Sequence, residues 1–175
     1  VVLFGHMNEA LPEEVRMLST PGYMAYIKIA DGCDNHCTYC IIPKLRGKYR
    51  SRPMEHIVEE AAALAAGGVR ELVVIAQDTS RYGIDLYGTY RLPELLRRLC
   101  AIDGLHWVRV LYVYPEVITD ELIDVFQTEK KLVPYMDIPI QHSDIAVLKR
   151  MGRHLTHEQL TELLAKLRRK LPNLV

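Results

Sequence analysis

The sequence predicts an α/β protein in which parallel strands form an open partial barrel. Short apolar or β-branched stretches alternate with helical patterns, giving about four βα units with strand starts near 26, 71, 107 and 135. Such alternation is typical of a parallel sheet with right-handed crossovers. A polar cluster directly follows each stretch, at the edge where parallel sheets build their sites. Four strands do not close a barrel, so we expect a partial one.

The first two units are defined by strand and helix signals in turn. A strand is predicted over Tyr23–Ala30, leading into a loop that contains cysteines. The helix that follows has Pro53 in its first turn, a buried stripe within 57–65 and an end at Gly67. The continuous apolar run Leu72–Ala76 is typical of a strand covered on both faces.

The later units follow the same pattern. The predicted elements are, in order, a helix over 92–99, a strand over Trp107–Val113, a helix capped by Thr119, a strand over Tyr135–Ile140, a short helix ending near Gly152 and a helix opened by a capping box of Thr156 with Gln159. Cys100 adjoins the apolar stripe of the second helix, so we expect it to be a small buried hydrophobic residue.

Composition limits the class of protein. The 175 residues are 49% hydrophobic and 25% charged, enough for one domain with a sizeable core. The formal net charge is zero, so bulk electrostatics does not indicate a nucleic-acid partner. No apolar run has the length of a bilayer span and no signal peptide is recognisable, so we expect no membrane partner and a cytoplasmic location. A cytoplasmic location also keeps thiols reduced.

Three of the four cysteines lie close together, as Cys33-x3-Cys37-x2-Cys40. Thiolates so near in sequence usually converge on a metal or a cluster. Three soft ligands suit an iron–sulfur cluster with one iron left open.

Other interpretations of this stretch predict different chemistry. A zinc site with His36 as fourth ligand lacks the second ligand pair that zinc sites usually have. A disulfide framework is not needed in a chain with several apolar segments and no secretory signal. An electron-transfer module would need a fourth protein ligand to the cluster, which the sequence does not offer.

A run of cations follows the cysteines. The five residues lie at alternate positions and would share one face of an extended segment; they are Lys44, Arg46, Lys48, Arg50 and Arg52. Such a face could hold an anionic group or an anionic partner, and in a zinc-stabilised binding domain it would bind RNA or protein. A solvated surface is an equally good interpretation.

The cysteine spacing, with Tyr39 just before the last cysteine, resembles the signature of radical S-adenosylmethionine enzymes. The resemblance implies that Cys33, Cys37 and Cys40 hold a 4Fe-4S cluster and that S-adenosylmethionine chelates its open iron. One electron then yields a 5′-deoxyadenosyl radical. The fold implied is a six-unit partial barrel with the cluster loop after its first strand, of which two units would be missing here.

Further stretches resemble the methylthiotransferase branch of that family; they are 26–33, 46–53, 77–79, 81–83, 85–88, 137–142 and 148–153. Gln77-Asp78-Thr79 and the Asp85–Gly88 loop are most similar to the branch member that inserts a methylthio group at the β-carbon of an aspartate in a small-subunit ribosomal protein. The alternative within the branch is an isopentenylated adenosine of tRNA.

The resemblance also implies roles for single residues. The three cysteines are the cluster ligands, and the backbone around Tyr39 lies against the adenine. Gln77 and Asp78 hold the methionyl end of S-adenosylmethionine, where many family members have a Gly-Glu-type motif. Tyr114, Gln141 and His142 line the same mouth, although Tyr114 and His142 could equally satisfy backbone groups at strand ends.

Whole members of the branch have three parts, and the resemblance places this chain in the middle one. Residues 1–22, with a short helix around Glu13–Leu18, would be a linker from a missing N-terminal domain that carries a second 4Fe-4S cluster. Residues 23–175 would be the core domain, incomplete at its C-terminal end and lacking a small C-terminal β-barrel. A flavodoxin-type reductant is the expected electron donor.

Overall fold

The computed structural model describes residues 17–175. The predicted helix around Glu13–Leu18 and the predicted linker over 1–22 therefore lie largely outside the described residues. The strands of the described part are β1 (Met24–Lys28), β2 (Ala30–Asp31), β3 (Arg50–Ser51), β4 (Glu71–Ile75) and β5 (Trp107–Val110). The helices are α1 (Ile42–Arg46), α2 (Met54–Ala66), α3 (Ile84–Tyr87), α4 (Leu92–Cys100), α5 (Asp120–Thr128), α6 (Ile145–Arg150) and α7 (His157–Lys170), with a 3-10 helix over Pro115–Val117.

A parallel sheet in the order β1-β4-β5 forms the centre of the fold. In register, Ile27 of β1 lies beside Val74 of β4, which lies beside Val110 of β5. These three side chains are on one face and are buried in the core, where β1 contacts α2 and β5 contacts α4. The prediction of an α/β fold built on a parallel sheet is confirmed.

The predicted helix boundaries are largely confirmed because they depend on local chemistry. The Thr119 hydroxyl accepts a 3.2 Å hydrogen bond from Leu122 N and caps α5. Thr156 and Gln159 form the predicted capping box of α7, with bonds of 3.0 and 3.2 Å. Cys100 is buried in the core, as expected.

The predicted fourth strand, Tyr135–Ile140, is wrong. In the described residues the chain beside β5 forms a parallel bridge between Val108 and Leu132, before the predicted strand. The predicted segment itself accepts a 2.9 Å bond from Val113 N at Asp137 O and a 3.3 Å bond from Tyr112 N at Asp137 Oδ2, without forming a regular strand. Pro139 has no amide hydrogen to donate, so a regular ladder cannot continue through it. The third strand is also shorter than predicted and ends at Val110, because Tyr112 adopts a left-handed φ of 60°.

The predicted common face of five cations is also wrong, because the segment is not extended. Lys44 and Arg46 lie in α1, whose first turn contains Pro43. Arg52 is turned inward, where it donates to Lys28 O at 2.8 Å and pairs with Glu60 at 2.7 Å.

Within the described part of the chain, no helix has the length and apolar character to cross a bilayer.

Candidate functional site

The cysteine loop, residues 32–49, is closed at its base by a short antiparallel ladder. Strands β2 and β3 pair Ala30 with Ser51 and Asp31 with Arg50. Gly32 follows directly with φ +77°, and a Cβ there would be 2.1 Å from Lys48 O, so only glycine fits. The ladder was not predicted, since its two-residue strands have no periodicity to detect.

The three cysteines line one cavity of about 460 Å³ at the C-terminal edge of the sheet. Cys33 and Cys37 are buried and Cys40 is exposed. The predicted residues Tyr39, Gln77, Tyr114 and Gln141 also line this cavity. The segments that carry these four residues therefore meet at one cavity, and their roles there remain predictions.

The sulfur atoms of two cysteines are already engaged by neighbours. The backbone N–H of Asn35 lies 3.4 Å from Cys33 Sγ, and the Tyr114 hydroxyl lies 3.0 Å from Cys37 Sγ. Burial raises the pKa of the Cys33 thiol, and the Asp78 carboxylate acts in the same direction, against the Asn35 bond. Burial also raises the pKa of Tyr114, so its hydroxyl remains a donor.

Among residues 17–175, no group of three or more His, Cys, Asp or Glu side chains is arranged to hold a metal ion. The three cysteines share a cavity without forming such a group. Their role as cluster ligands therefore stays a prediction.

Gln77 lines the cavity, and its Oε1 atom is buried with no hydrogen-bond partner among the described residues. Buried polar atoms are usually paired, because an unpaired one costs about 1–3 kcal/mol. An acceptor of this kind beside the three cysteines suits a ligand that carries an N–H group. The residue therefore fits its predicted role toward the amino group of S-adenosylmethionine.

Asp78, the next residue, lies behind the cavity wall instead of in it. Its side chain is fully buried, and its carboxylate accepts bonds from Asn35 at 3.0 Å and Ser80 at 2.5 Å. Its backbone carbonyl accepts a 2.8 Å bond from the Tyr49 hydroxyl. The expectation that Asp78 holds the cofactor directly does not agree with this placement, because its carboxylate faces the protein interior.

His142 does not line the cavity either. Its Nδ1 accepts a 2.9 Å bond from the N–H of Asp144, the cap of α6. His142 thus satisfies a backbone group, which is the alternative to a role in the site.

Sequence reasoning missed Tyr112, whose half-exposed ring lines the cavity. Tyr112 and Gln141 are the non-glycine residues with positive φ in the described chain, at 60° and 66°. Such backbone strain concentrates at functional sites, but it has no sequence signal.

The donor set suits an iron–sulfur cluster. Three thiols, which are soft ligands, surround one cavity, and the pocket wall adds an unpaired acceptor at Gln77.

A family profile and several known proteins match this chain in sequence. The sequence profile of the Radical SAM superfamily matches residues 27–175. The chain is 59% identical over 159 residues to a protein of Lachnoclostridium phytofermentans named ribosomal protein uS12 methylthiotransferase RimO, covering 91% of this chain and 36% of that one. It is 53% identical over 176 residues to the protein of that name from Caldanaerobacter subterraneus subsp. tengcongensis, covering 100% and 40%. The chain thus spans about two fifths of the length of these relatives.

Solved structures share the fold at low sequence identity. The radical S-adenosylmethionine methyltransferase TsrM of Kitasatospora setae, with tryptophan and a cofactor analogue bound, superposes with a TM-score of 0.65 and 18% identity, covering 85% of this chain and 29% of that one. The cobalamin-dependent S-adenosylmethionine radical enzyme OxsB gives a TM-score of 0.61 and 14% identity, covering 79% and 21%.

Proposed function

Because the chain belongs to the Radical SAM superfamily, we propose that it is the catalytic core of a methylthiotransferase. Its substrate would be an aspartate of a small-subunit ribosomal protein, modified at the β-carbon. The observation that carries this proposal is the cavity where Cys33, Cys37 and Cys40 meet the unpaired acceptor of Gln77. The substrate assignment is supported by relatives at 59% and 53% identity whose name includes uS12.

The three cysteines would hold the 4Fe-4S cluster as thiolates. When bound, the cluster and S-adenosylmethionine supply a 5′-deoxyadenosyl radical able to remove hydrogen from an unactivated carbon. The chain must therefore deliver three deprotonated sulfurs to one point. Because burial raises the pKa of Cys33, loading with metal releases its proton.

The cavity wall would orient S-adenosylmethionine. Gln77 Oε1 would accept a hydrogen bond from its amino group, since that atom has no partner in the described residues. The backbone around Tyr39, which lines the cavity beside the cysteines, would lie against the adenine. Tyr114 and Gln141 line the same cavity and would limit where a substrate carbon can approach.

Three further assignments follow from this function. A second 4Fe-4S cluster would lie in a domain outside this chain, which spans about two fifths of its relatives. A flavodoxin-type protein would supply the electron, and a ribosomal substrate would place the reaction in the cytoplasm. Without the second cluster, this chain alone should cleave S-adenosylmethionine but not complete sulfur insertion.

The test is anaerobic reconstitution with iron and sulfide, followed by electron paramagnetic resonance spectra with and without S-adenosylmethionine. We expect a brown 4Fe-4S species whose reduced spectrum changes when S-adenosylmethionine is added, and loss of the cluster in Cys33→Ala. A colourless protein with stoichiometric zinc, or a cluster whose spectrum ignores S-adenosylmethionine, would contradict the proposal.

The substrate needs a separate measurement in the full-length protein. We expect mass spectrometry to find a methylthio group on an aspartate of the ribosomal protein. Modification of isopentenyladenosine in tRNA instead would replace this assignment by the alternative within the branch.

A further inference from the structure

The turn after α6 packs against both sides of Cys37. Thr38 N donates to Met151 O at 3.1 Å, and Thr38 Oγ1 donates to Arg150 O at 2.8 Å. Gly152 has φ +72°, and a Cβ there would be 2.8 Å from His36 O. The cysteine loop is thus held at His36 and Thr38 by a segment more than a hundred residues away in sequence.

Arg153, which completes this turn, points into the protein and is only 5% exposed. Its Nη2 donates to Pro139 O at 2.8 Å, and its Nε lies 3.2 Å from Glu116 Oε1. Its Nη1 is buried with no hydrogen-bond partner among the described residues. An arginine is always charged, so this position holds a fixed positive charge inside the protein.

That charge lies directly over the ring of Tyr114, with the Arg153 Cζ atom 3.9 Å from the ring centroid. The Tyr114 hydroxyl in turn lies 3.0 Å from Cys37 Sγ. Arg153, Tyr114 and Cys37 therefore form a continuous row that ends at a predicted cluster ligand.

We propose that Arg153 and Tyr114 are positioning residues for Cys37, which fix its sulfur and stabilise the negative charge that the cluster gains on reduction. This inference rests on the proposed function. Hydrogen bonds to the ligand sulfurs and nearby positive charge are the means by which a protein raises the potential of an iron–sulfur cluster. A sulfur that ligates iron still accepts a hydrogen bond, so the Tyr114 contact is compatible with cluster binding.

The first variant is Tyr114→Phe, which removes one oxygen and leaves the ring beneath Arg153. In a redox titration of the reconstituted protein followed by electron paramagnetic resonance, we expect the ratio of reduced to oxidised cluster at a fixed applied potential to fall about tenfold. The matched control is Tyr82→Phe. It removes a buried hydroxyl that donates to Arg52 O at 2.9 Å, and Tyr82 does not line the cysteine cavity.

The second variant is Arg153→Met, which removes the charge but keeps a long side chain. We expect the same ratio to fall, and Arg153→Lys to restore part of it. The control is Arg52→Met, another buried arginine, paired with Glu60 and outside the cavity lining. If circular dichroism shows that Arg153→Met is unfolded, Tyr114→Phe decides the question.

The outcomes separate the two proposals. A wild-type cluster with normal response to S-adenosylmethionine, but an unchanged midpoint in Tyr114→Phe, would overturn this inference and leave the proposed function standing. A midpoint shifted equally by Tyr82→Phe would also overturn it, because the effect would then be general. A wild-type protein that takes up no cluster would overturn both.

Discussion

The side-chain amide of Asn35 donates a 3.0 Å hydrogen bond to the Oδ2 atom of Asp78 and so joins the cysteine loop to the segment after β4. Asn35 also accepts a 3.0 Å bond from Arg81 Nη1, and its backbone N–H lies 3.4 Å from Cys33 Sγ. Asp78 therefore acts on Cys33 through Asn35, from behind the cavity. This explains why a fully buried carboxylate lies directly beside the site without entering it.

Replacing Asp78 with Ala should weaken both the fold and the loop. Asn35 and Ser80 would lose their shared acceptor in a buried region, so we expect the free energy of unfolding to fall by about 1–3 kcal/mol. Urea denaturation measures this. Asp124→Ala, which removes an exposed partner of Lys170, is the control and should cost less than about 1 kcal/mol. Equal losses in the two variants would contradict the buried network.

Protonation of Asp78 should make the free energy of unfolding depend on pH. Burial raises its pKa above the ordinary 3.8, although bonds from Ser80 and Asn35 oppose this. The folded protein therefore binds this proton more tightly than the unfolded chain. The stabilisation is complete below the ordinary pKa and is lost as the pH rises through the folded value.

Asp78→Asn cannot titrate, so the stability of the wild type relative to this variant should decline across that pH window. Unfolding free energies measured on both sides of 3.8 test this. A relative stability that instead increases with pH would mean that the hydrogen bonds outweigh burial.

Gln77→Leu should weaken the binding of S-adenosylmethionine without destabilising the fold. Because Oε1 has no partner in the described residues, its removal should leave the free energy of unfolding unchanged or raise it by up to about 1 kcal/mol. Affinity of the reconstituted protein for S-adenosylmethionine should fall roughly tenfold, measured by equilibrium binding. The control is Gln127→Leu, because the side chain of Gln127 donates to Lys170 O and does not line the cysteine cavity; this variant should leave the affinity unchanged. Wild-type affinity in Gln77→Leu would exclude Gln77 from the cofactor site.

Gly152→Ala should cost more than an identical change elsewhere. Gly88 has a similar φ of 73° but open space around its missing Cβ, so Gly88→Ala reports backbone strain alone, about 1–2 kcal/mol. At Gly152 the new Cβ would also be 2.8 Å from His36 O. We therefore expect a lower denaturation midpoint than in Gly88→Ala and faster hydrogen exchange at Thr38 N. Equal midpoints would show that the turn does not press on the cysteine loop.

Much of the fold follows from short-range signals. Thr119 and Thr156 cap their helices as predicted because a cap depends on residues three positions apart. The strand at 71–75 was recognisable from its apolar run. The segment Tyr135–Ile140 also contains several apolar residues and was predicted as a strand, yet it includes Pro139, which has no amide hydrogen to donate to a ladder.

The site was predictable at the level of segments and less so at the level of side chains. Gln77 and Asp78 are adjacent beyond the end of β4, where strand alternation no longer says which one faces inward. Tyr112 is a strand-forming residue by propensity. Its left-handed backbone is held by tertiary bonds from Thr79 to Tyr112 O at 3.0 and 3.1 Å, which no local pattern encodes.

The two-residue ladder between β2 and β3 bears on how the protein matures. It brings the ends of the 32–49 segment together by protein contacts alone, so the entropy of closing that loop is already spent when the chain folds. If the loop holds a cluster as proposed, its two ends are already fixed by this pairing. The ladder therefore limits the rearrangement that cluster binding would require to the interior of the loop.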